Sequence, residues 1–134
     1  MHYDAEVDRR GLAAVLASVV LVLAASFPWG DFQGHAHWNQ VGWVPFGSAP
    51  LRARDVAFNL LLGAPVGAST ASYFSRRHLI AAGLLAFAAS LLGEGLQVYS
   101  HSRFPSATDV TSTTVGALTT AYLVTTKRAR RQHA

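Results

Sequence analysis

The chain has 134 residues, enough for one domain, and is 51% hydrophobic but only 13% charged. A soluble globular chain carries about 25% charged residues, so this balance excludes an ordinary soluble domain and a disordered one. The net charge of +4 comes from short basic clusters at the ends of apolar runs, a membrane-orientation pattern rather than a nucleic-acid surface, so no nucleic-acid partner is expected. With no cysteine in the chain, disulfides, thiolate metal sites and thiol chemistry are excluded.

The first uncharged run covers residues 11–30 and follows Arg9 and Arg10. It is longer than the roughly 7–15 apolar residues of a secretory signal, so it reads as a retained span. A long loop follows over residues 31–55. The tryptophans Trp29, Trp38 and Trp43 lie in it or at its start, with Phe27, Phe32 and Phe46 close by. This clustering matches an interfacial aromatic belt. Residues 56–75 form a second run without charge, and residues 79–98 a third whose single acid is Glu94. The fourth, 109–126, opens on Asp109 and leads into the basic tail 127–134.

A bilayer span needs roughly 20 mostly apolar residues. The expected architecture is therefore all-α: one domain over residues 1–134, an integral membrane bundle of four transmembrane helices with a long outer loop between the first two. Eight of the eleven basic residues fall before span one, between spans two and three, or after span four. The positive-inside rule then puts both termini in the cytoplasm and the 31–55 loop outside. The expected location is the inner membrane, multi-pass, with membrane lipid as the immediate partner and a homo-oligomer as an open alternative.

Polar groups within spans are costly and mark functional candidates. Glu94 lies about 22 Å of helix from Leu79, several Å below the outer edge of a core about 30 Å thick. Asn59 is four steps from Asp55, and Thr113 four from Asp109, each about 6 Å. Three spans thus bring polar groups to one depth. Faces agree as well. Ser90, Glu94, Gln97 and His101 share one helical stripe, Asp109, Thr113, Gly116 and Thr120 another, and Asn59, Gly63 and Gly67 a third. Gly63 and Gly67 form a GxxxG pair suited to close helix approach. Pro65 between them should kink the second span and free the carbonyl of Leu61 towards a polar interior. Arg103 is placed to pair with Glu94 or Asp109, or to hold an anionic ligand together with Arg52 and Arg54.

The stretch VGWVPFGSAPLRARDVAFNLLLGAPVGAS is similar to the opening motif of the VanZ-like family, with Pro45, Phe46, Asp55, Asn59, Pro65 and Gly67 at the motif positions. The stretch SLLGEGLQVYSHSRFPSATDVTSTTVGALTT resembles the second motif, with Glu94, Gln97, Arg103, Ser106, Asp109, Thr113 and Gly116. Thr113 stands where the family usually has Asn, and Thr120 where a second Gly often follows. The resemblance implies a small multi-span membrane protein of the bacterial cell envelope. Resistance to the glycopeptide teicoplanin, after which the family is named, is an inherited label and not a mechanism.

These readings converge on an outer-leaflet site that recognises or modifies an envelope lipid, a glycan precursor or a glycopeptide drug. Asn59, Glu94, Gln97, Arg103 and Asp109 are the ligand-binding candidates. Asp55, Pro65, Gly67, Ser106, Thr113 and Gly116 are the supporting ones. Glu94 is the candidate acid, but no nucleophile–base pair accompanies it, so no reaction is assigned. A proton- or ion-coupled transporter and a non-catalytic scaffold remain as alternatives. No cofactor is expected. His35 and His37 with Asp31 have the look of metal ligands, but two histidines and one acid in a loop are a common accident, and no metal site is expected from them.

Overall fold

The computed structural model describes residues 2–47, 52–74 and 78–132, with side chains from residue 9 onward. Residues 48–51 of the loop, Ser75, the basic pair Arg76 and Arg77, and residues 133–134 of the tail lie outside the described residues. Among the described residues there are four α-helices and no strand: α1 (His2–Ser26), α2 (Ala53–Tyr73), α3 (His78–Gln97) and α4 (Ala107–Gln132). One 3-10 turn, Trp38–Gln40, interrupts the loop between α1 and α2.

The helix boundaries follow from local chemistry. Pro28 cannot extend α1, and the chain leaves the helix after Ser26. Ser106 precedes α4, and its Oγ accepts from the Thr108 N–H at 3.1 Å, which satisfies one of the exposed donors at a helix start. Asp109 sits in the first turn of α4 and Arg130 and Arg131 in its last, each on the side the helix dipole favours.

Side chains are distributed opposite to those of a soluble bundle. The buried positions are small: Ala82, Ala86 and Ala89 on α3, Ala117 and Ala121 on α4, with Val22, Val66 and Val98 the bulkiest apolar side chains fully inside. The large apolar groups point outward, among them Leu16, Val20, Leu61, Ile80, Leu84 and Leu92. Small residues inside and large ones outside suit helices packed within an apolar solvent. Two helices, α1 over Arg9–Ser26 and α3 over His78–Gln97, are long and apolar enough to cross a membrane. The other two are more polar, and α4 is rich in threonine. Much of that polarity is cancelled locally. Thr111, Thr114 and Thr125 donate to the carbonyls of Ala107, Val110 and Ala121 one turn back, so each hydroxyl proton is used within its own helix.

The most extensive helix contact joins α2 to α4. The backbones touch there. A Cβ on Gly63 would collide with the carbonyl of Thr113, one on Gly67 with that of Ala117, and one on Gly116 with that of Leu60. The expected GxxxG contact is thus made against α4. The expectation that Pro65 frees a carbonyl towards a polar interior is corrected. Helix α2 runs without interruption through it, and Pro65 and Leu61 both lie on the exposed face, so the Leu61 carbonyl does not serve a polar interior.

Both connections at one end of the bundle are tied together. The Gln33 and His37 amides donate to Tyr99 and Val98, the Gly42 amide to Pro105, and the Ala107 amide to Gly42. Phe46, with φ 59°, donates its N–H to Thr108 Oγ1 at 2.9 Å. The α1–α2 loop therefore folds over the α3–α4 turn. At the opposite end Arg128 donates to the Ala71 carbonyl and to Ser72 Oγ, both at 3.1 Å. Replacement Gly116→Val should destabilise the bundle by about 1–3 kcal/mol or more, the usual cost of overpacking. Gly95→Ala, where a Cβ meets nothing within 4 Å, should be neutral. Thermal unfolding in detergent checks both.

Candidate functional site

A cavity of about 630 Å³ lies under the paired connections. Asn59 from α2, Glu94 and Gln97 from α3, Arg103 from the α3–α4 turn and Asp109 from α4 all line it. These are the five ligand-binding candidates named from the sequence. Asp55 and Ser106 line it too. The other supporting residues stand behind it. Gly67 and Gly116 bring α2 onto α4, while Pro65 faces outward.

Glu94 is buried in the cavity wall, with 6% of its surface exposed. Its Oε2 accepts from the Ser106 amide at 2.7 Å, and its Oε1 accepts from Gln97 Nε2 at 3.2 Å. Gln97 Nε2 also donates to the carbonyl of Ser26 at 2.9 Å. One acid and one amide thereby connect the ends of α1 and α3 to the start of α4. The stripe read from the sequence explains this for Ser90, Glu94 and Gln97, all buried on α3. His101 departs from it. The helix ends at Gln97, the chain turns, and His101 is exposed elsewhere.

Asn59 and Thr113 meet as the matching depths suggested, Thr113 Oγ1 donating to Asn59 Oδ1 at 3.4 Å. Asn59 Nδ2 donates to the Asp55 carbonyl at 3.0 Å. Thr113, which departs from the family pattern, thus still supplies a hydrogen-bond donor to the α2 amide. Arg103 forms no ion pair with Glu94 or Asp109, although its charge acts on both carboxyls. It is exposed at the cavity edge. Arg52 shares that edge, whereas Arg54 turns to Asp55 at 3.4 Å. Charge on the guanidinium of Arg103 is therefore available to a ligand.

Sequence reasoning missed the apolar wall. Phe58 and Phe104 line the cavity beside the polar groups and are exposed. Residues of that kind in a membrane-like sequence carry no periodic signal that separates pocket from lipid face. It also missed what Asp31 does. Asp31 accepts from Ser100 Oγ at 2.7 Å, from the His101 amide at 3.1 Å and from the Ser102 amide at 2.7 Å. An acid just after a Pro-x-Gly turn was visible, but its partners lie about seventy residues on and have no local signature.

The hydrogen bonds from Ser102 and Ser100 hold the Asp31 carboxyl well below the usual carboxylate range. A lowered folded-state pKa means the contribution to the turn is complete above the ordinary value of about 3.9 and is lost only as pH falls through the depressed value. Protection of the His101 and Ser102 amides relative to their intrinsic exchange rates should persist at pH 4, and Asp31→Ala should lower it for both at every pH. Hydrogen-exchange mass spectrometry reads this directly.

Compared with known proteins, the family model described as VanZ/LLP1 matches residues 11–128. No curated protein matches, and no solved structure does.

Proposed function

Because the chain belongs to the VanZ/LLP1 family, we propose that it is a four-span protein of the bacterial inner membrane, with both termini cytoplasmic, which binds the polar head of an envelope lipid or lipid-linked glycan precursor at the outer leaflet. The observation that carries the reading is the single cavity shared by Asn59, Glu94, Gln97, Arg103 and Asp109. Its composition suits an amphiphile. Arg52 and Arg103 offer bidentate donors to phosphate or carboxylate, Glu94 and Asp109 accept from hydroxyls or amines, and Phe58 and Phe104 provide apolar contact.

The exposed aromatic residues support the depth assigned to this end. Trp29, Trp38 and Trp43 are all more than half exposed, as side chains at a membrane–water interface would be. The basic residues Arg128, Arg130 and Arg131 lie at the other end of α4, in keeping with a cytoplasmic tail. Binding is favoured over ion relay by the hydroxyls further along the bundle. Ser90 donates to the Ala86 carbonyl and Thr70 to that of Val66, so these groups are spent within their own helices. A glycopeptide drug, with its sugars and amides, is the other ligand of this chemistry.

Lipids that co-purify with the protein in mild detergent, measured by native mass spectrometry, test the proposal. Arg103→Ala, an exposed change, and Glu94→Gln should each lower retention of the bound amphiphile about tenfold or more, from the loss of a charged hydrogen bond of about 1.5 kcal/mol. Retention unchanged in both variants overturns the reading.

A further inference from the structure

Away from the cavity, three histidines from two separate segments meet. His35 and His37 lie in the α1–α2 loop and His101 in the α3–α4 turn. The ring centroids are 4.7 Å apart for His35 and His37, 5.3 Å for His35 and His101, and 4.5 Å for His37 and His101. The rings meet edge-on, at 64°, 81° and 87°, rather than stacking. One nitrogen from each ring lies within 4.8 Å of the other two. His37 Nε2 is shielded from solvent and has no hydrogen-bond partner among the described residues.

We propose that His35, His37 and His101 bind a divalent first-row transition ion, zinc in the first instance, which clamps the α1–α2 loop to the α3–α4 turn. This rests on none of the lipid reading above and stands or falls separately. Three imidazoles and one open position form a recurrent zinc donor set. Imidazole suits zinc, copper and nickel, while magnesium and calcium take oxygen ligands, which this trio lacks. Tetrahedral zinc with Zn–N bonds of about 2.0–2.1 Å sets its ligand nitrogens about 3.4 Å apart, so modest side-chain rotations close the trio around an ion. An ion also gives the shielded His37 nitrogen the partner it lacks.

The backbone beneath two of the ligands is already fixed. The His37 amide donates to Val98 at 2.8 Å, and Asp31 accepts the His101 amide. Asp31, occupied by donors of the turn, is thus a positioning residue for a ligand rather than a ligand itself. The remaining ligand, His35, is exposed, as is His101, which leaves the ion a path of entry. Ser102, Arg103 and Phe104, directly after His101, wall the cavity, so an ion on His101 also fixes the segment that carries Arg103.

The test uses full-length protein freed of any affinity tag, stripped with chelator and titrated in detergent with Zn(II) by calorimetry and with Co(II) by visible absorption. One ion per chain and d–d bands of a nitrogen-ligated low-symmetry site are expected. His35→Gln, the exposed ligand and the smallest structural change, and His101→Gln should each abolish the one-to-one isotherm. Asp31→Asn should weaken it about tenfold or more, as loss of a supporting contact does at metal sites. His78→Gln, at the start of α3, should leave it intact. The proposal is overturned by absence of Zn(II) binding at micromolar concentration, by binding that survives His35→Gln, or by equal loss in His78→Gln. Lipid retention measured on the same samples keeps this result apart from that of the cavity.

Discussion

Backbone contact between α2 and α4 is the constraint on which the site depends. Three glycines permit it, and at each a single methyl group would occupy the place of a carbonyl. Small residues at the contact let the two helices pack backbone to backbone. That approach has a chemical consequence. It sets Asn59 against Thr113 and gives Asp55 and Asp109 to one cavity. A larger separation would break the hydrogen bond between Asn59 and Thr113.

Glu94 then closes the structure at one end. Its two carboxylate oxygens take the Ser106 amide and the Gln97 amide group, so the acid caps the approach to α4 while Gln97 reaches the last carbonyl of α1. The same arrangement that satisfies a buried acid also orders the cavity floor. Structure and recognition are not separable here, because the bonds that neutralise the cost of burial are those that orient the carboxylate. The exposed guanidinium groups at the rim are different. Among the described residues they have no hydrogen-bond or ion-pair partner, and they are exposed.

Above the cavity the long loop is a structural cover, pinned through backbone pairs and through Asp31 to the α3–α4 turn. His35 and His37 sit in this cover and His101 in the turn it is pinned to, with the polar cavity beneath. Ser102, Arg103 and Phe104, which line the cavity, follow His101 directly in the chain.

Sequence by itself determined the helical class, the approximate extent of the four helices and the matching of Asn59 with Thr113. Run length, charge placement and a 3.6-residue period are local properties, and each is written in consecutive residues. Membership of the family was legible from two ordered motifs for the same reason. Only the tertiary structure decided that Asp31 braces the turn bearing His101, that His101 leaves the α3 stripe to join His35 and His37, and that Pro65 faces away from the cavity. Those outcomes depend on where the chain exits α3 and how a flexible loop folds back, and backbone hydrogen bonds between residues some seventy positions apart leave no periodic trace in the sequence.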